Sequence, residues 1–292
     1  VDRFLLKVRH KFLQTIAQHP LIKSYIDQNY QRKINQHSQN LPILNMESLK
    51  LIEKIQQDGV AITSLSELGI KDTEKMLVVA QKLAKELVQL EAESVQNYVI
   101  HASCEEMSRF PQIFLWGIDP KLLNIVENYL GLSVAYQGAY LRRDIANGLE
   151  IGSRLWHIDQ EDRRVIKIII YLDDVDEENG PFQYLPYDIS LKIAQTIKYT
   201  SGYLSDQTMQ KLISPKSYHS CTGVGGTVIF AATSSIFHRG KPPINRDRLA
   251  IFYDYTSKSY KQRFYGTPTL PYRDLRLIAR NLSEQQRNCI FW

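Results

Sequence analysis

The sequence predicts an α+β chain in which a helical N-terminal layer precedes an antiparallel β-sandwich or jelly roll. Three observations carry this expectation. Up to about residue 132, apolar residues recur mainly at helical spacing. From about residue 133, short runs rich in β-branched and aromatic residues alternate with clusters of Gly, Pro, Asn and Asp. The spacing of those runs suits a sandwich better than a parallel sheet with crossover helices, and no Walker A, GxGxxG or GxSxG motif is present.

Each element has its own signal. Residues 3–18 place Phe4, Leu5, Val8, Phe12, Leu13 and Ile16 on one helical stripe. Lys7, Arg9, His10 and Lys11 flank it, so a membrane-surface helix is an alternative to the favoured packing helix. The Gln- and Asn-rich stretch to about 40 reads as a helix and a loop. A short amphipathic helix over 46–57 stops before Gly59, and Val60–Thr63 reads as a strand. A longer helix over 72–95 has Met76, Val79, Leu83, Leu87 and Leu90 as its stripe, with Asp72 or Thr73 as N-cap. Over 120–130, Asp119 caps, Pro120 fits the first helical position and Gly131 the stop. The strand-like runs are Val134–Arg142, Arg154–Asp159, Val165–Leu172, Phe182–Leu185, Thr227–Ala231, Ile236–His238 and Leu249–Tyr255. A helical insert near 188–198 interrupts them, and Asn179-Gly180 is a hairpin signal.

The 292 residues fit one domain over 1–292: a helical extension (1–55), a helical support layer (56–132), a jelly-roll core (133–260) and a C-terminal segment (261–292). Hydrophobic residues at 43% and charged residues at 23% exclude a disordered, collagenous or disulfide-built chain. The net charge of +5 is too small to argue for nucleic acid. No apolar stretch approaches a membrane span, and the apolar run near Val1 is too short for a signal peptide. Cys104, Cys221 and Cys289 are far apart, which reads as reduced thiols in a cytoplasmic protein and excludes a cysteine-rich zinc site.

The chemistry-bearing signals lie in the second half. In a strand, His157 and Asp159 of Trp156-His157-Ile158-Asp159 point to one face; alone, this pair reads equally as a surface contact. His238 follows on a later strand, and a jelly roll can return it opposite the first pair. Two His and one carboxylate on one face of a metal form the facial triad of non-heme Fe(II) oxygenases. Arg248 comes ten residues after His238 (248 minus 238), beyond a turn over Gly240–Asn245 that would bring it back beside His238. An Arg opening the apolar strand Leu249–Tyr253 calls for an anion, such as a carboxylate cosubstrate. Arg246 is its rival on the same face. Lys167 interrupts the apolar run Val165–Leu172; it either contacts such an anion or an acidic substrate, or faces solvent. Tyr136, Gln137 and Tyr140 lie on a strand that could line the pocket. His10, His19, His37, His101 and His219 have no partner at ligand spacing.

Trp156-His157-Ile158-Asp159, the run Ile170–Pro186 with its Asn179-Gly180-Pro181-Phe182 turn, and Gly225–Phe230 leading to His238 and Arg248 together resemble the phytanoyl-CoA dioxygenase family. The resemblance is clearest from Trp156 to Tyr255. It implies a double-stranded β-helix that uses Fe(II), 2-oxoglutarate and O2. By position, His157, Asp159 and His238 would ligate iron, and Arg248 would pair the distal carboxylate of 2-oxoglutarate. Lys167 and Gln137, read from their strands and not from the resemblance, are the further candidates for cosubstrate contact. The implied reaction converts 2-oxoglutarate to succinate and CO2 while hydroxylating an unactivated C–H of a small metabolite, with specialised biosynthesis as the expected setting. The carboxylate of Asp159 favours such outcomes over halogenation, since related halogenases carry Gly or Ala there. Pro186-Tyr187-Asp188-Ile189-Ser190 departs from the family's P-G-S-H, so the resemblance carries no substrate identity. Two rival functions are a non-catalytic metal- or ligand-binding jelly roll and an interaction module built on the basic N-terminal helix.

Overall fold

The computed structural model describes residues 20–91, 94, 96–259 and 270–292. The helix expected over 3–18, with His10 and His19, lies outside the described residues. The chain divides into two compact units, up to Pro42 and Ile43–Trp292. In the first, helix α1 (Pro20–His37) runs into a 3-10 turn (Ser38–Asn40).

In the second unit, α2 (Met46–Asp58), β1 (Val60–Ser64), α3 (Leu65–Leu68), α4 (Thr73–Val88), β2 (Val99–His101), α5 (Cys104–Arg109), α6 (Pro111–Trp116) and α7 (Pro120–Leu130) come first. Strands β3 (Val134–Asp144), β4 (Ile166–Tyr171) and β5 (Phe182–Tyr184) follow, then α8 (Tyr187–Thr196), α9 (Asp206–Gln210), β6 (His219–Cys221), β7 (Thr227–Ala231), β8 (His238–Gly240) and β9 (Arg248–Ser257). Helices α10 (Tyr272–Ile278) and α11 (Glu284–Ile290) end the chain. The strands form a six-stranded sheet, β1-β7-β4-β9-β3-β2, and a three-stranded sheet, β6-β5-β8, and their pairings are antiparallel.

Strand alternation sorts the large sheet into two buried faces. Ile166, Ile168, Ile170, Phe230, Ile251 and Tyr253 share a core with Leu83, Ile113 and Leu122 of the helical layer. Tyr140, Ile169, Tyr171, Ile229 and Phe252 pack instead on Phe182, Tyr184 and Cys221 of the small sheet. Each such fully buried side chain contributes about 1.5–3 kcal/mol. β4 is apolar on both faces because both are covered; Lys167 is its exception and points between the sheets.

Local signals explain the helix ends. Asn45 accepts from Ser48 N at 2.9 Å and opens α2; Gly59, at φ 84°, closes it. Asp119 accepts from Lys121 N at 2.8 Å, with Pro120 at the first turn and left-handed Gly131 at the end of α7. Helix α4 starts where expected, with Asp72 at the N-cap position, but its side chain makes no capping bond: it sits at φ 61° and pairs with Lys75 at 2.6 Å. The other end differs from expectation. The helix stops at Val88 because Arg143 Nη1, on β3, donates to the carbonyls of Leu87, Val88 and Leu90 (3.2, 3.0 and 2.9 Å). That guanidinium satisfies the last-turn acceptors and complements the helix dipole.

Three further expectations are corrected. Arg154–Asp159 is not a regular strand: a 3-10 turn (Gly152–Arg154) leads into isolated bridges, His157 with His238 and Trp156 with Leu204. The Asn179-Gly180 turn makes no hairpin; it carries the chain from β4 in the large sheet to β5 in the small one. His238 and Arg248 lie on different sheets rather than on neighbouring strands, so they face one another across the interior. No helix among the described residues is long and apolar enough to cross a membrane.

Candidate functional site

His157, Asp159 and His238 meet at the space between the sheets, and their ligand atoms all lie within 4.8 Å of one another. No other group of three or more His, Cys, Asp or Glu among the described residues converges in this way. The antiparallel bridge His157 N–His238 O at 3.1 Å and His238 N–His157 O at 3.0 Å brings the histidines together; Asp159 N donates to Thr233 O at 3.0 Å. Asp159 Oδ1 lies 3.6 Å from His157 Nε2 and 3.9 Å from His238 Nε2.

The protonation states suit a cation. His157 Nδ1 is 2.8 Å from the Leu155 carbonyl and His238 Nδ1 is 3.1 Å from that of Ile236. A carbonyl only accepts, so Nδ1 carries the proton and each Nε2 offers a lone pair. Burial holds both imidazoles neutral: it lowers His157 and pulls His238 down to about 3. Burial alone would raise the Asp159 carboxyl, but Lys167 and then the two histidines outweigh it and hold it well below the usual carboxylate range.

Lys167 is placed against this carboxylate: its Nζ lies 2.7 Å from Asp159 Oδ2. Asp254 on β9 is its register partner, buried and not foreseen from the sequence. Burial works against the Lys167 ammonium, yet Asp159 and Asp254 hold it charged, whereas burial pushes Asp254 up to about 7.

Arg248 opens β9 and is 3% exposed. Its Nη2 donates to Asp144 Oδ2 at 2.8 Å, and its Nη1 donates to the Gly180 carbonyl. Arg142 Nε donates to the same Asp144 oxygen at 3.0 Å, and its guanidinium stacks over Phe252 at 4.4 Å. Burial would raise Asp144, but Arg142 and Arg248 hold it at about 2. One carboxylate facing two guanidiniums leaves one surplus positive charge. Both guanidiniums approach Gly240, where a Cβ would meet Arg248 Nη2 at 3.1 Å and Arg142 Nη2 at 3.7 Å.

A cavity of about 50 Å³ joins these groups; His157, Lys167, His238, Arg142 and Arg248 line it together with Tyr140, Ile169, Phe182 and Phe252. Arg142 and Asp144 were not singled out in the sequence, although they follow Tyr140 at the strand period of two. Gln137 lies elsewhere: it sits in the bulge between Tyr136 and Gly138 and donates to Thr256 Oγ1 at 2.7 Å. Tyr136 faces the helical layer, with its hydroxyl on the Phe114 carbonyl at 3.2 Å. Arg246 is at the surface, on the Asp174 carbonyl. His101 and His219 make tilted ring contacts with Tyr140 and Tyr184, and the three cysteines are free.

No family model matches the chain, so the phytanoyl-CoA dioxygenase resemblance rests on its motifs. No curated protein matches it in sequence. Solved structures do share the fold. HygX from Streptomyces hygroscopicus, with nickel and 2-oxoglutarate bound, has a TM-score of 0.52 at 12% identity, covering 79% of this chain and 94% of that one. The epimerase SnoN in complex with Fe3+, alpha ketoglutarate and nogalamycin RO has a TM-score of 0.52 at 13% identity, covering 76% and 88%. AviO1 from Streptomyces viridochromogenes Tue57 has a TM-score of 0.51 at 15% identity, covering 76% and 100%.

Proposed function

We propose that this chain is an Fe(II)- and 2-oxoglutarate-dependent oxygenase with a double-stranded β-helix core, related to the phytanoyl-CoA dioxygenases. One observation carries the reading. Two neutral imidazole Nε2 atoms and one carboxylate oxygen converge at one side of a cavity that two arginines also line. The donor set fits a divalent metal held on one face, with His157, Asp159 and His238 as ligands. Bound there, the metal and 2-oxoglutarate supply the oxidising power to attack an unactivated C–H, with succinate and CO2 released. The chain's own residues do the rest. The Leu155 and Ile236 carbonyls keep the metal-facing nitrogens unprotonated. Arg248 and Arg142 bind the distal carboxylate of the cosubstrate through charge-assisted hydrogen bonds. The 50 Å³ cavity has room for only a few waters, so binding 2-oxoglutarate requires lining side chains to move.

The substrate is a small organic metabolite and the outcome hydroxylation. Structures of the same fold hold hygromycin B and nogalamycin RO, which supports a small-molecule substrate. Tyr203, 57% exposed with its ring 5.0 Å from that of His157, borders the open side where such a molecule would rest. The free cysteines support a cytoplasmic location. The test is succinate formation from 2-oxoglutarate under air, with and without Fe(II). Metal- and oxygen-dependent turnover that His157→Ala, Asp159→Ala and His238→Ala each abolish is the expected result. Absence of turnover together with absence of 2-oxoglutarate binding refutes the enzyme reading and favours a non-catalytic jelly roll.

A further inference from the structure

We propose that Lys167 restricts Asp159 to a single metal-binding oxygen, at a cost in metal affinity; this rests on the metal-centre reading above. The two carboxylate oxygens have separate partners. Oδ1 faces the histidine Nε2 atoms at 3.6 and 3.9 Å, while Oδ2 faces Lys167 Nζ at 2.7 Å. A carboxylate can bind a cation through one oxygen or two. With Oδ2 held by the ammonium, only Oδ1 is offered, which preserves open positions for a cosubstrate and oxygen.

The ammonium is held by the fold. Lys167 lies mid-strand on β4, hydrogen-bonded between β7 and β9, with Ala231 and Asp254 as register partners. Its side-chain exposure is 18%, against 6% for that of Asp159. Arg248 lines the same cavity but pairs with Asp144, whereas Lys167 pairs with Asp159, so the two cations have separate counter-ions. An acidic ligand is not needed to account for burying this Lys, because Asp159 already is its counter-ion.

Two effects oppose each other when Lys167 is removed. Asp159 gains freedom, which weakens a pre-set site; a cation beside a divalent metal disappears, which strengthens it. Coulomb repulsion over a few ångströms in a partly desolvated space exceeds the restraint on one short side chain, so affinity rises. Lys167 is thus a positioning residue that acts through Asp159.

The experiment titrates the metal-free full chain with Co2+ alone and reads the d–d absorption, which reports affinity and coordination together. Lys167→Met binds Co2+ at least tenfold tighter than wild type, with a changed spectrum. Lys167→Arg restores wild-type affinity and spectrum. Lys167→Gln, which keeps a donor for Oδ2 without the charge, binds tighter yet retains the wild-type spectrum; it also serves if the Met variant does not fold. Equal or weaker binding with an unchanged spectrum in both the Met and Gln variants overturns the proposal, while loss of Co2+ binding in His238→Ala leaves the metal centre standing. If His238→Ala and Asp159→Ala bind Co2+ as wild type does, the metal-centre reading itself fails.

Discussion

Replacing Asp144 by Asn keeps the side-chain shape and removes the one charge that two buried arginines share. Asp144 is 0% exposed and accepts from Arg142 at 3.0 Å and Arg248 at 2.8 Å. The arginines overcome burial and move its carboxyl from the ordinary 3.8 to about 2. That depression corresponds to on the order of 2 kcal/mol by which the ionised form stabilises the fold beyond the neutral acid. Asn stands in for the neutral acid, so Asp144→Asn loses on the order of 2–3 kcal/mol at pH 7, rising toward the ~3–5 kcal/mol of a broken buried pair. For a chain this size the melting temperature falls by about 5–10 °C. Because the folded pKa is depressed, the contribution is present above 3.8 and is lost as pH falls through about 2. Roughly half of it is gone by pH 3. Urea denaturation of both proteins at pH 7, 5 and 3 reads this directly. A loss below about 1 kcal/mol at pH 7, or a difference that does not narrow toward pH 3, refutes the reasoning.

Arg142→Met removes one of the two guanidiniums at the anion end: the KM for 2-oxoglutarate rises by about tenfold or more while Co2+ affinity stays within about twofold, measured by succinate assay and metal titration. Gly59→Ala forces a Cβ to 2.3 Å from Ile236 Cγ2 at φ 84° and destabilises by about 2–4 kcal/mol; because the Ile236 carbonyl orients His238, metal affinity falls as well. Arg143→Met leaves the carbonyls that end α4 without their charged donor, so hydrogen-exchange protection in the last turn drops by about tenfold and stability by about 2 kcal/mol.

The features legible in the sequence are those whose causes are local. Asp119, Pro120, Gly59 and Gly131 mark helix ends through their own side chains or backbone, and the structure places the ends there. The β-rich texture after 133 likewise follows from residue types. The end of α4 was not legible, because its terminator is Arg143, on β3, more than fifty residues away. The Asn179-Gly180 turn has hairpin chemistry, yet the choice between pairing β5 with β4 and crossing to a second sheet is made by distant strands. At the site, the spacing of His157, Asp159, His238 and Arg248 sufficed to nominate them. Their mutual geometry rests on isolated bridges that no periodicity signals. Arg142 and Asp144 could have been found by extending the period-two face of Tyr140. Gln137 illustrates the converse: it sits at a bulge, where alternation slips and the face of a side chain is no longer readable.

The arrangement of charge between the sheets follows one logic at both ends. At the histidine end, Lys167 stands between Asp159 and Asp254, two acids to one base. At the other end, Asp144 stands between Arg142 and Arg248, two bases to one acid. Tyr140, Ile169 and Phe252 line the same cavity beside both groups. Each end carries an internal counter-ion that keeps its charges tolerable in the empty fold, yet leaves an excess of the sign complementary to a guest. The counter-ions are also where affinity is tuned. Removing Lys167 tightens the cation end, and removing Asp144 destabilises the fold while freeing two guanidiniums for an anion; because Lys167, Arg142 and Arg248 line one cavity, and Arg142 also acts on Asp254 and His157, the two changes are coupled.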